Sequence, residues 1–204
     1  VSFVGLVLNW YMYINIKRRI SDIISIYMTT PFLILIDGPM GSGKTTTSRL
    51  LSQKLPDAAR GALPDIKRFI PNNTESERNL TVTRAVIHTM VNTYLEHGVS
   101  VIIEQITKKD GAEALRETAV KHGAQFYGYR LTAPEHVRFE RVKDRTKEMM
   151  DIKELPQSKI DELLGYFEPN KKFYADNPID TIETIDTENL DPEQVVEIIL
   201  SKVL

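Results

Sequence analysis

The chain has 204 residues, 42% of them hydrophobic and 26% charged, which suits one globular domain with a full core. A formal net charge of −2 leaves no excess of positive charge to displace counterions, excluding a protein devoted to non-specific nucleic-acid binding. There is no cysteine, so disulfides, zinc–thiolate sites and thiol nucleophiles are excluded; the expected compartment is the cytoplasm, with which this is compatible though it proves no compartment.

Residues 1–27 differ from the rest. Phe3 to Ile16 is mostly apolar and aromatic, and Lys17, Arg18 and Arg19 follow it. Fourteen residues are too few to cross a bilayer, which takes about 20. The charges also come after the apolar run, the reverse of a signal peptide. Met28 stands just before the first clear strand, so 1–27 is expected to be an N-terminal extension, either upstream of a true start or a peripheral arm. A helix lying on a membrane surface is one alternative and a true membrane span the other. Residues 28–204 then form the working domain.

From Met28 onward strands and helices alternate, which predicts a parallel sheet covered on both faces. Phe32 to Ile36 is a continuous apolar run, as a central parallel strand requires. Thr45 to Leu55 reads as a helix. The stretch from Asp57 to Asn79 is irregular and punctuated by Pro64 and Pro71, with a short edge strand near Ala58–Leu63. Thr81 to His97 is a helix, with Val82, Val86, Met90 and Tyr94 on one stripe and Ile87, Val91 and Leu95 widening it. Ser100 to Glu104 is a second buried strand, Gly111 to His122 a helix, and Gln125 to Leu131 a third strand. Pro134 to about Lys147 follows as a helix with proline in its first turn. Lys159 to Tyr166 is helical, interrupted by Glu168-Pro169. Thr181 to Ile185 is the last strand, and Asp191-Pro192-Glu193 carries the residue types that start a helix.

Between the first strand and helix lies Gly38-Pro39-Met40-Gly41-Ser42-Gly43-Lys44-Thr45, a full match to G-x-x-x-x-G-K-[ST] in the required strand–loop–helix setting. The glycines let the chain wrap closely with its amides turned inward, forming an anion nest. The following helix adds the positive end of its dipole. Lys44 can reach the β- and γ-phosphates of a nucleotide, the Thr45 hydroxyl can bind Mg²⁺, and Thr46 lies at the edge of the same nest. Asp37, just before the loop, is expected to brace it rather than touch phosphate.

Asn170-Lys171-Lys172-Phe173 fails the guanine-reading Asn-Lys-x-Asp pattern at its last position, and the roughly 175 residues after Met28 are too few for a large mechanical ATPase. The chain resembles the small P-loop kinases, the group that includes adenylate, shikimate and gluconate kinases, chloramphenicol phosphotransferase and the 5′-hydroxyl polynucleotide kinase domain. The loop itself carries the resemblance, together with Asp65-Ile66-Lys67-Arg68, Val101-Ile102-Ile103-Glu104, and Leu131-Thr132-Ala133-Pro134-Glu135 followed by Arg138, Arg141 and Arg145. It implies a three-layer α/β/α fold with a mostly parallel five-stranded sheet in the order 2-3-1-4-5. It also implies ATP and Mg²⁺ as cosubstrate and metal. Asp65 would orient the acceptor or act as general base, and Arg68 would bind the acceptor. Glu104 would contact the acceptor or a Mg²⁺-bound water, although the group more often has Asp there. Arg141 and Arg145, on one arc of a lid helix with Arg138, would cover the transferring phosphoryl group. The competing expectation for those arginines is a solvent face paired with Glu135, Glu140 and Asp144.

Tyr166, Phe167, Phe173 and Tyr174 are candidates for an adenine pocket or for ordinary core packing. The four histidines are scattered and read as structural. Lys67, Arg68 and Arg78 point to an anionic acceptor. An ATPase or nucleotide-binding switch without an acceptor is the competing function.

Overall fold

The β-branched and leucine-rich run after Pro31 forms the centre of the sheet in the computed structural model, which describes residues 30–70 and 76–204. The expectations for 1–27 and for Pro71 lie outside the described residues. Strand β1 (Phe32–Asp37) is buried from Leu33 onward and pairs in parallel with β3 (Val101–Glu104) on one side and β4 (Gln125–Thr132) on the other. The edge strand expected near Ala58–Leu63 is present as β2 (Ala59–Ala62), parallel to β3, and β5 (Glu183–Asp186) completes the sheet beside β4. The order is β2-β3-β1-β4-β5, all parallel, as expected.

Seven helices flank the sheet among the described residues: α1 (Lys44–Lys54), α2 (Leu63–Lys67), α3 (Glu77–Glu96), α4 (Lys109–Lys121), α5 (Glu135–Met150), α6 (Gln157–Asp176) and α7 (Pro192–Val203). Alternate residues of the central strands face opposite layers. Leu33, Leu35, Val101 and Ile103 pack with Ile87 and Val91 of α3 and Leu115 of α4. Ile34, Ile36 and Ile102 pack with Leu51 of α1 and Val196 and Ile199 of α7. A smaller cluster of Val142, Leu163 and Phe167 joins α5 to α6. No helix among the described residues is long and apolar enough to cross a membrane.

Three local expectations need correction. Helix α3 begins at Glu77, earlier than Thr81, because the Ser76 Oγ accepts the Asn79 amide at 3.2 Å and caps it. Its buried row is Thr83, Ile87, Val91 and Leu95, whereas Val82 and Val86 are each 45% exposed. Glu168-Pro169 does not interrupt α6, which runs through it to Asp176. Buried Leu163 and Phe167 hold that helix, and the residue one turn before the proline is Gly165, with open space around its Cα. At the C-terminal helix the sequence signal holds in full: Asp191 and Gln194 form a reciprocal capping box ahead of Pro192.

Candidate nucleotide and acceptor site

The crevice lies at the carboxyl ends of the strands, where β1 is flanked by β3 and β4 and the connections diverge. The loop from Gly38 to Lys44 sits there and depends on its glycines. Gly41 has φ +80°, and a Cβ on it would stand 2.4 Å from the Arg138 carbonyl oxygen. Gly38 would bring a Cβ within 2.3 Å of the Leu131 carbonyl oxygen. Helix α1 starts after a left-handed Gly43 with no side-chain cap and no acidic residue in its first turn. Its first amides are therefore unclaimed by side chains, as an anion site requires.

Lys44 folds back over the loop. Its Nζ donates to the carbonyl oxygens of Gly38 at 2.7 Å and Pro39 at 3.0 Å. Burial lowers its pKa from the ordinary 10.5 to about 8; Asp37 and Glu104 oppose that shift, and Arg145 and Arg138 add to it. An ammonium in this position lacks a full countercharge, which a phosphate would supply.

The first half of the loop is clamped from outside. Asp37 is fully buried and accepts from Arg130 Nε at 2.8 Å, from the Thr107 amide at 3.3 Å and from the Tyr174 hydroxyl at 2.9 Å. The Tyr174 Oη is also within bonding distance of the Gly38 carbonyl, at 2.5 Å. Burial first, then the charge of Asp37, pushes that phenol well above its ordinary pKa. The Arg130 guanidinium lies over the Tyr174 ring at 4.8 Å. Asn170 Oδ1 accepts the Met40 amide at 2.9 Å. Asp37 therefore braces the loop, as its position in the sequence suggested.

A second network runs from α1 towards β2. Glu104, 3% exposed, receives the Thr45 hydroxyl on Oε1 and the Ser48 hydroxyl on Oε2 at 2.8 Å. Arg60 Nη2 donates to the same Oε2 at 3.1 Å, and Arg60 Nε to Ser48 Oγ at 3.0 Å. Register explains the meeting: Arg60 stands opposite Ile102 and Ala62 opposite Glu104, so Arg60 and Glu104 share the α1 face of the sheet. Arg60 Nη1 also lies 3.7 Å from Asp65 Oδ2. Asp65 is half-exposed on α2, and exposed Arg68 donates to its Oδ1 at 3.1 Å. The structure thus brings Thr45 and Glu104 into contact and connects them to Asp65 through one guanidinium.

The three arginines of α5 differ in role. Arg138 is buried; its Nε donates to the Ala133 carbonyl at 2.9 Å and its Nη1 to the Met40 carbonyl at 3.0 Å, fixing the loop. Arg141 donates to Thr187 Oγ1 at 3.0 Å and to the Thr187 carbonyl at 2.6 Å. Arg145 is exposed and, with Arg141, lines a cavity of about 460 Å³ bounded also by Thr46, Thr187, Leu190 and Val195. The three acidic residues expected to pair with these arginines pair with lysines instead: Glu140 with Lys143, Asp144 with Lys147, Glu135 with Lys171. The four aromatic residues of α6 do not line that cavity. Phe167 packs edge-on against Phe139, and Tyr174 serves the loop.

Sequence reasoning missed Arg60, Ser48 and Arg130. Arg60 offered one signal, a charged residue inside a predicted strand. The others join the site through contacts across long stretches of chain that no local pattern announces.

Residues 34–164 match the family model described as AAA domain. That is more than half of the chain, and the chain belongs to this family. No curated protein matches it in sequence. Among solved structures it is similar to a proposed kinase from Chloroflexus aurantiacus, with a TM-score of 0.62 at 19% identity, covering 86% of this chain and 100% of the other. It is also similar to the APS kinase of Mycobacterium tuberculosis in complex with AMPPNP and APS, with a TM-score of 0.61 at 12% identity over 84% and 96% of the two chains. A gluconokinase from Sinorhizobium meliloti gives a TM-score of 0.58 at 17% identity over 85% and 92%. The fold is that of the small P-loop kinases.

Proposed function

We propose that the chain is an ATP-dependent phosphotransferase that moves the γ-phosphate of ATP to a hydroxyl or phosphate oxygen of a small-molecule or nucleotide acceptor. The observation that carries this is the loop between β1 and α1: uncapped amides, three positive-φ glycines, and a desolvated Lys44 whose amine rests on the loop carbonyls of Gly38 and Pro39. Several of the structures that resemble it are of proteins named as kinases, among them a gluconokinase and an APS kinase.

The donor set fits Mg²⁺, since the hydroxyl of Thr45 and the carboxylate of Glu104 are hard oxygen ligands already in contact. When bound there, Mg²⁺ would neutralise charge on the phosphate oxygens. The rest falls to the chain's own residues. Lys44 exchanges the Gly38 and Pro39 carbonyls for β- and γ-phosphate oxygens. The cavity beside Thr187, Leu190 and Val195 takes the nucleoside, and Arg145 covers the phosphates from α5. Asp65 hydrogen-bonds the acceptor, taking the proton where the acceptor is a hydroxyl, as the acceptor oxygen attacks the γ-phosphorus and the bond from that phosphorus to the β–γ bridging oxygen breaks to release ADP. Arg68 offers an anionic acceptor its guanidinium. The proposed compartment is the cytoplasm.

The test is incubation with γ-labelled ATP and a pooled acceptor panel, comparing wild type with Lys44→Ala and Asp65→Asn. Label on one acceptor, lost in both variants, supports the kinase. Label appearing only as free phosphate refutes it in favour of an ATPase.

A further inference from the structure

Arg60 has no place in the motif that defines the loop, yet it touches both halves of the site. It lies on a four-residue edge strand whose remaining residues are two alanines and a glycine. Its guanidinium is mostly buried, with 18% of the side chain exposed. Three groups share it: Ser48 Oγ at 3.0 Å, Glu104 Oε2 at 3.1 Å and, more loosely, Asp65 Oδ2 at 3.7 Å. Ser48 and Glu104 are themselves joined, and Glu104 holds the Thr45 hydroxyl at the head of α1. Asp65 has much less to hold it. It sits on a five-residue helix that is anchored to the core only by partly buried Leu63 and Ile66 and has no fully buried residue, and its other basic partner, Arg68, has a side chain 80% exposed. An exposed pair of that kind contributes little to position. Among the described residues, the charged contact reaching Asp65 from the strand side of the crevice is the one from Arg60.

Resting on the kinase reading above, we infer that Arg60 is a positioning residue for the transfer step, tying the acceptor-side carboxylate of Asp65 to the nucleotide-side carboxylate of Glu104 so that acceptor and γ-phosphate meet in register. A planar fork suits the task, because one guanidinium can face three acceptors at fixed angles. An ammonium is a point charge on a flexible stem and satisfies one or two of them. The charge beside buried Glu104 would survive Arg60→Lys, which keeps the fold intact, while the span to Asp65 would not. Arg60 contacts no loop amide, so capture of the nucleotide does not depend on it.

The experiment compares wild type, Arg60→Lys, Arg60→Gln, Asp65→Asn and the Arg60→Lys/Asp65→Asn double variant. The acceptor probe is a mixture of nucleoside monophosphates, gluconate, shikimate and a 5′-hydroxyl oligonucleotide. Misplacement by about 1 Å is enough to lower kcat by roughly a hundredfold, so Arg60→Lys is expected to lose about ten- to a hundredfold in kcat. Its KM for ATP and its magnesium-free affinity for ADP by calorimetry should stay within about threefold of wild type. Asp65→Asn should cost far less in the Arg60→Lys background than in wild type, because both changes sever one link. Arg60→Gln should behave like Arg60→Lys in rate but melt earlier, since it leaves Glu104 buried without its countercharge. Retained kcat in Arg60→Lys overturns the inference. So does an Asp65→Asn penalty equal in both backgrounds, or a rate loss mirrored by lost ADP affinity. Wild type that labels no acceptor refutes the kinase reading itself, and that failure appears without any Arg60 variant.

Discussion

Replacing Lys44 with methionine separates what this lysine does for the ligand from what it does to the fold. Its amine is desolvated, and its pKa falls from 10.5 to about 8, burial being the largest cause. That depression corresponds to about 3 kcal/mol disfavouring the charged form in the folded state. The side chain keeps some contact with solvent, so we take about 2 kcal/mol as the effective figure. The sign follows from linkage. Between about pH 8 and 10.5 the unfolded chain holds a proton on Lys44 that the folded chain has released, so folding becomes more favourable as pH rises through that window. Below pH 8 both states are protonated and the penalty is constant. Methionine has no proton to lose, so wild type should gain on Lys44→Met by about 2 kcal/mol as pH is raised from 7 to above 10. Urea denaturation of both proteins in EDTA, taken pairwise at each pH, reads this difference, and other titrating groups cancel. A gap that stays flat, or that moves against wild type, refutes the desolvated-lysine argument. The same reasoning predicts that ADP binding near pH 8.5 takes up protons, visible as a dependence of calorimetric heat on buffer ionisation enthalpy.

Tyr174→Phe removes the hydroxyl shared by Asp37 and the Gly38 carbonyl, and loss of a bond to a charged group should lower stability by about 1.5–3 kcal/mol in urea; an unchanged midpoint would contradict the clamp. Gly41→Ala forces a Cβ to within 2.4 Å of the Arg138 carbonyl at φ +80°, so it should destabilise by about 1–3 kcal/mol and abolish ADP binding, read by thermal melting and calorimetry. Arg141→Ala withdraws the donors that hold Thr187 and one wall of the cavity, and should weaken ADP about tenfold, or roughly 1.4 kcal/mol, while pyrophosphate binding changes little. Equal losses for both ligands would place the cavity outside the nucleoside site.

The strands and the loop were legible because they rest on local signals: apolar runs for buried strands, and a glycine pattern that only one strand–loop–helix geometry satisfies; the sheet order was legible only through the resemblance to the small P-loop kinases. Strand β2 was faint because Ala-Arg-Gly-Ala has no apolar run, and its pairing with β3 supplies what its composition lacks. The α3 stripe was displaced by one residue because its apolar arc is wider than the face it buries. Thr83 occupies the buried row by returning its hydroxyl to the Asn79 carbonyl at 2.7 Å, a compensation that composition does not reveal. At Pro169, local helix-breaking lost to the burial of Leu163 and Phe167 on the same helix. In the site, the loop residues announce themselves by their own pattern, whereas Glu104 and the α5 arginines were candidates only through the resemblance. Residues joined to the loop over long separations, such as Asn170 to Met40 and Tyr174 to Asp37, carry ordinary side chains whose use depends on where α6 returns.

Titration calorimetry of the full chain with ADP and with ATP, each with and without magnesium, tests the central claim most directly. The account predicts one nucleotide per chain, affinity for ATP strengthened by magnesium, and no detectable heat for Lys44→Met that remains folded by circular dichroism. Folded wild-type protein that takes up neither nucleotide under either condition would contradict it.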